Sequence, residues 1–354
     1  MRIKNQLTKS LSPAVWNGRR AAGFTLVELL VVIAIIGMIT AIAVPTVFSA
    51  IRTARNAAVK SELELLHVAL MNYKNECGTF PPANMQGLWS GGAVNVRHPV
   101  YKHLVRVFPR IKEATSNTST TKSPYQDLAQ MSPAQALVFW LSGFYSNPEY
   151  PLTNNGTAAG RKKLFEFNQA RLYAASSYDF TGATPQNFVG MNDPTATAFG
   201  KQYPVYFTPH PNSGLPYVYF DGRCYDTQPG LATTAGAAST GDLSYSAQSK
   251  NGVTSTAFPY ISSSPTPNPT WAQLHMCPDT FQLIAAGADG SYGDLVSGAA
   301  VQASFPLAGT TTFISTSYSW PTITDIVATP GQADNLTNFA DRPLRDASIA
   351  LQNK

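Results

Sequence analysis

Between residues 29 and 44 the chain carries no charge, and Thr40 is the only clearly polar side chain there. Residues 24–44 are enough for about 30 Å of helix, the thickness of a bilayer's hydrocarbon layer. Val, Ile and Leu lie all round this helix, so it is buried on every face, in lipid or against like helices. A single carboxylate, Glu28, stands at its mouth. Gly37 and Pro45 are its weak points, where a kink or local melting is expected.

The charge distribution sets the residues before this run apart from those after it. Of 25 Lys and Arg, five (Arg2, Lys4, Lys9, Arg19 and Arg20) precede Gly23, and none of the 20 Asp and Glu does. The rest of the chain is neutral and shows no cluster of Lys and Arg, so no nucleic-acid partner is expected. The basic bias reads as a topology signal that keeps the first 23 residues on the cytoplasmic side. These residues read as a removable leader. A secretory signal peptide cut after Ala43 or Ala50 is the competing reading. Glu28 inside the apolar region and the helical pattern past Pro45 argue against it.

After Pro45 the run becomes amphipathic. Val59, Leu63, Leu66, Leu70 and Tyr73 recur at helical spacing and define one face. Gly78 supplies a stop, and Pro81-Pro82 forbids continuation. Residues 24–77 therefore read as one helix of about 80 Å, with 24–44 transmembrane and 45–77 amphipathic. Residues 78–354 read as a globular head. Ser132-Pro133 opens a helix to about Tyr145, and a second helix is expected over 161–175. Strands are expected at 203–207, 216–220, 281–285 and 312–317, with a turn at Asp221-Gly222. The low-complexity stretches 115–123 and 230–269 read as exposed loops, partly disordered. The fold class is α+β, with the long helix packed on a head built around an antiparallel sheet.

The junction itself is specific. Gly23-Phe24-Thr25-Leu26-Val27-Glu28-Leu29-Leu30 resembles the processing site of the prepilin family, and Pro45 lies where type IV pilins also carry a proline. The resemblance implies that a prepilin peptidase cuts after Gly23 and that Phe24 becomes the N-methylated first residue. It also implies a pilin-like fold, a single-pass place in the inner membrane with the head in the periplasm, and assembly with other pilin-like subunits on a secretion or pilus platform. The physics of Glu28 agrees, because an ionised carboxylate near hydrocarbon costs a few kcal/mol unless paired. The cation at its depth is the α-amino group that cleavage exposes at Phe24, its own or a neighbour's. Glu28 can thereby set the register of a helical assembly.

The C-terminal region is less specific. Residues 287–294 and 333–336 place Asp289, Asp294 and Asp334 on Gly-rich turns. Such turns suit calcium, though any turn uses Asp and Gly. The stretch 281–290 resembles the C-terminal segment of the major pseudopilins of type II secretion, which implies a structural calcium. Three cysteines, Cys77, Cys224 and Cys277, make no disulfide framework. In a periplasmic head one bridge is possible, with the pairing left open by the sequence and Cys224 and Cys277 the candidate pair, and free or buried cysteines are the alternative.

Catalysis finds no support in the spacing of residues. His67, His98, His103, His210 and His275 lack metal-ligand spacing, and no nucleophile elbow or phosphate loop is present. His98 and His103 read as solvated surface. The aromatic strand at 216–220 reads as sheet core rather than a binding face. The sequence thus points to a structural subunit, a pseudopilin or minor pilin, of a type II secretion or type IV pilus-like filament. A membrane-anchored glycan- or surface-binding module is the alternative, and an enzyme a more distant one.

Overall fold

The computed structural model describes residues 24–118, 122–154, 161–173, 203–209, 215–224, 245–248, 254–262, 276–287, 290–292, 304–305 and 335–340. Two compact units divide after Ile51. Helix α1 runs Leu26–Cys77, and neither Gly37 nor Pro45 interrupts it. Within the first unit its Leu, Val, Ile, Met and Phe side chains are exposed. This helix is long and apolar enough to cross a membrane. The hydroxyls of this stretch turn back onto the backbone. Thr40 donates to the Ile36 carbonyl at 2.7 Å and Thr46 to the Ala43 carbonyl at 2.8 Å, so neither is presented unpaired to an apolar surrounding.

In the second unit the helix has one covered face. Val59, Leu63, Leu66, Leu70 and Tyr73 are all buried, as the four-and-three spacing requires. The first four meet a three-stranded antiparallel sheet in the order Leu336–Thr337, Phe281–Ala285, Val218–Asp221. Phe281 pairs with Asp221, Ile284 with Val218, and Ala285 with Leu336. Helix α2 (Pro99–Val107) and the short helix α3 (Pro124–Leu128) lie on the other side of the core with Tyr73. Helix α4 (Pro133–Leu141) is buried along its length because it divides two cores. Ala134, Leu137, Val138 and Leu141 face the sheet cluster, while Ala136, Phe139 and Trp140 face the cluster of Tyr73 and α2. The Ser132 side chain caps the Gln135 N–H and Gln135 returns the bond, which fixes where α4 begins.

The sequence that stops α1 is held by side chains. Residues 80–83 include two prolines and form no ladder, so their carbonyls need other donors. Tyr219 donates to Pro81 at 2.7 Å, Trp140 to Pro82 at 2.8 Å, and Arg223 to Phe80. Asp221 accepts from the Ala83 N–H at 2.5 Å. The aromatic strand thus serves the core: Tyr217, Tyr219 and Phe220 are fully buried.

Several expectations change. Residues 161–173 are not a helix. They form a strand at Arg161–Lys162, a 3-10 turn at Gln169–Arg171 and a strand at Leu172–Tyr173. The cause is Gly143, at φ +73°, which ends α4 and lets the Lys162 backbone approach so closely that a Cβ would stand 1.6 Å from its carbonyl oxygen. Phe144 then pairs with Lys162, which also cuts α4 short of Tyr145. The stretch 230–269 contains an antiparallel hairpin, Tyr245–Gln248 with Thr254–Ala257. Tyr245, Ala257 and Tyr260 are buried in the main core, so the stretch's Ser/Thr/Gly composition hid a pair of strands. One two-residue pair, Ile261–Ser262 with Ser304–Phe305, is parallel. The expected strand at 312–317 lies outside the described residues.

One half-buried group fastens α1 to the head. Arg171 donates to both oxygens of Glu62, at 2.7 Å to Oε2 and more closely to Oε1. Tyr206 donates to Oε1 at 2.6 Å and Tyr217 to Oε2 at 2.7 Å. Burial pushes the Glu62 pKa up, but the bonds from Arg171, Tyr206 and Tyr217 outweigh it and the net shift is downward. A lowered folded value gives stabilisation that is present above the ordinary carboxylate range and is lost as pH falls through the folded value. Glu62→Gln should therefore lower unfolding stability by about 2–4 kcal/mol at pH 7 and flatten the acid limb of the stability–pH curve. Denaturant melts of both proteins between pH 7 and pH 3 check this, and parallel curves would remove Glu62 from its role.

Candidate functional site

The site begins where α1 begins. Phe24 and Thr25 precede the helix, and Phe24 is 79% exposed. The Thr25 carbonyl accepts the Leu29 N–H at 3.2 Å, so Thr25 is the cap residue. Its Oγ1 accepts the Glu28 N–H at 3.2 Å. In return Glu28 Oε2 accepts the Thr25 N–H at 2.8 Å and the Thr25 hydroxyl at 2.9 Å. This is the reciprocal capping box of a Thr-x-x-Glu sequence. The carboxylate also sits in the first turn, where the helix dipole favours a negative charge.

The box divides the Glu28 carboxylate into two halves with different surroundings. Oε2 is engaged by Thr25, while Oε1 makes no hydrogen bond among the described residues. Thr25 is thus a part of the site that the reading of Glu28 as a lone acid missed. The Thr25-x-x-Glu28 spacing was available in the sequence. Gly23, on the other side of the junction, lies outside the described residues.

The other candidate residues fall elsewhere. Asp289, Asp294 and Asp334 lie outside the described residues, whereas Gly290, Tyr292 and Asn335 close to them in sequence lie within. Asn335 Nδ2 donates to the Tyr292 carbonyl at 2.9 Å and to the Tyr260 hydroxyl at 2.8 Å. These bonds bring the chain before Leu336 against the chain after Gly290. Asn335 is fully buried, and its Oδ1 has no hydrogen-bond partner among the described residues. Among the described residues no three His, Cys, Asp or Glu converge as metal ligands.

Cys277 is a half-buried free thiol at φ +57°, pushed up in pKa by burial. Cys224 closes a 3-10 turn, Gly222–Cys224, and its side chain lies outside the described residues. The histidines depart from a solvated surface. His98 caps α2 through Val100 N. His103 is 4% exposed, bonded to the Tyr73 hydroxyl at 2.7 Å and to Thr79 Oγ1 at 3.0 Å. Burial, with Arg223 and Arg106 nearby, lowers its pKa to about 3, so it is a neutral core residue at physiological pH.

With this geometry the comparisons with known proteins are informative. Residues 18–44 match the family described as the prokaryotic N-terminal methylation motif. Over 70 residues the chain is 36% identical to the type II secretion system core protein G of Pseudomonas aeruginosa, covering 20% of this chain and 49% of that protein. The chain thus spans about half the length of the relative it matches. No solved structure matches. The chain is thus an α+β protein whose apolar N-terminal helix begins within a stretch similar to the prokaryotic N-terminal methylation motif. Replacing Thr25 with Val should cost the first turn of α1 about 1 kcal/mol. Amide hydrogen exchange at Glu28 and Leu29, the bonded amides of this turn, should then be roughly fivefold faster, and unchanged exchange would deny the cap.

Proposed function

We propose that this chain is a structural filament subunit, a pseudopilin or minor pilin of a type II secretion or type IV pilus-like assembly. A prepilin peptidase cuts between Gly23 and Phe24, and the new Phe24 amine is methylated. Until assembly, α1 holds the subunit in the inner membrane with the head in the periplasm. An assembly platform then moves it into a filament, where like helices replace lipid around the apolar residues at about 25 cal/mol per Å². The head, residues 78–354, is large beside a 52-residue helix, which favours a pseudopilin or minor component over a main shaft subunit. The role is architectural rather than enzymatic.

The observation that carries this reading is the divided Glu28 carboxylate. Oε2 is satisfied within its own turn, which lowers the cost of placing an acid near hydrocarbon. Oε1 remains for a cation at the same depth, and the α-amine of a neighbouring subunit's Phe24 supplies one. Glu28→Gln separates capping from charge, because Gln also completes a capping box. Mass spectrometry should find a methylated Phe24 terminus in both wild type and this variant, and electron microscopy should find filaments only in the wild type. A mature terminus near Val44 or Ile51 would overturn the class, and normal filaments of the variant would remove the register role.

A structural calcium belongs to the same proposal. The buried Oδ1 of Asn335, without a hydrogen-bond partner among the described residues and next to Asp334, and the bond from Asn335 to Tyr292 two residues before Asp294, suit an oxygen-ligand site. Asp289, Asp294 and Asp334 would supply the charge, and the bound ion would tie residues 287–294 to 333–336. Removing calcium with a chelator should lower the melting temperature of the protein, and readdition of calcium, but not magnesium, should restore it. A melting temperature indifferent to chelation would dismiss the ion.

A further inference from the structure

After Glu28 the chain has no charged side chain until Arg52 and Arg55. Both are exposed. Three residues apart, they share one side of the helix, and they extend toward the N-terminus the stripe on which Val59, Leu63 and Leu66 are buried. The head's cover on this stripe begins at Val59. Lys60, the next cation, donates to the Thr337 carbonyl at 2.9 Å and the Ala340 carbonyl at 2.6 Å. Glu62, the first acid after Glu28, is engaged by Arg171. The stretch between the apolar run and the head therefore carries two guanidinium groups and no carboxylate.

Dimensions place this pair at a particular depth. The uncharged residues 29–51 make about 35 Å of helix, against about 30 Å of hydrocarbon. From Arg52 to Val59 the rise is about 10 Å, and a headgroup layer is about 5–8 Å deep. When the helix spans a bilayer, both guanidinium groups lie among lipid phosphates. Their presence opposes the positive-inside bias set by the five basic residues before Gly23. Removal of the leader leaves Arg52 and Arg55 as the only basic side chains flanking the apolar run.

We infer that Arg52 and Arg55 bind the phosphates of anionic lipid on the head side of the membrane and so fix the depth of the unassembled helix. The inference rests on the membrane-spanning reading of α1. Guanidinium matches phosphate geometry with paired N–H donors, and a basic residue beside an anionic leaflet is worth about fivefold in affinity.

The test places full-length protein in nanodiscs of phosphatidylcholine with a minority of phosphatidylglycerol and counts retained lipids by native mass spectrometry. Wild type should retain phosphatidylglycerol preferentially. The Arg52→Gln/Arg55→Gln variant should lose this preference by roughly fivefold per arginine, and Arg52→Lys/Arg55→Lys should keep most of it. Leader residues are common to all three proteins and cancel in the comparison. Near-UV circular dichroism of the head should be the same in all three, since neither arginine is buried. Equal phosphatidylglycerol retention by wild type and the Gln variant overturns the inference, as does a Lys variant that behaves like the Gln variant. Lost self-association with unchanged lipid retention would assign the pair to a protein contact and overturn it too. Failure of the filament reading is seen separately, as a Gly23–Phe24 bond that stays uncleaved when the wild-type nanodiscs are incubated with a prepilin peptidase, an outcome that leaves the lipid comparison intact.

Discussion

The head is fastened to its helix by a carboxylate that has nowhere to go. Glu62 lies on the covered side of α1, where an unpaired charge would cost several kcal/mol. Arg171, Tyr206 and Tyr217 reach it from three separate places in the sequence. The apolar residues beside it, Val59, Leu63 and Leu66, drive association but are tolerant of sliding by a turn. The polar cluster is not. A shift of one turn would set Glu62 against apolar surface and leave Arg171 without its carboxylate, so the cluster selects one register of helix on sheet. Lys60, bonded to the carbonyls of Thr337 and Ala340, ties the last described strand to the same turn of helix.

Two of the acids of α1, Glu62 and Glu28, illustrate two uses of one side chain. Glu62 is satisfied on both oxygens by groups more than a hundred residues away in sequence. Glu28 is satisfied on one oxygen by its own helix turn. The first arrangement is complete as it stands. The second is stable enough to exist in an apolar setting and still has capacity for a partner.

How much of the molecule is legible in its sequence depends on how local each cause is. The long helix, its covered stripe and the strand Phe281–Ala285 arise from period and composition within single segments, and all were legible. The helix start at Ser132-Pro133 was legible for the same reason, while the reciprocal bond from Gln135 was overlooked. The failures have non-local causes. Residues 161–173 carry helix-forming side chains, yet the close approach permitted by Gly143 pairs Lys162 with Phe144 instead. The hairpin Tyr245–Gln248 with Thr254–Ala257 sits inside a stretch whose average composition resembles a loop. His103 looked like a surface residue among Lys and Arg, but the Tyr73 and Thr79 hydroxyls satisfy both ring nitrogens in the core. At the junction the sequence yielded Gly23, Phe24 and Glu28 at once, and the overlooked Thr25 completes the same motif.

The segment after α1 has a mechanical consequence. Residues 80–83 are held by Arg223, Tyr219, Trp140 and Asp221, one bond at each successive residue. The helix before them is held by the Glu62 cluster and Lys60. Tension applied along the helix would load these attachments together, in shear, instead of peeling them one at a time. Force needed to tear parallel bonds adds, whereas force needed to unzip them does not. A chain held this way can be pulled by its helix and bring its head along intact.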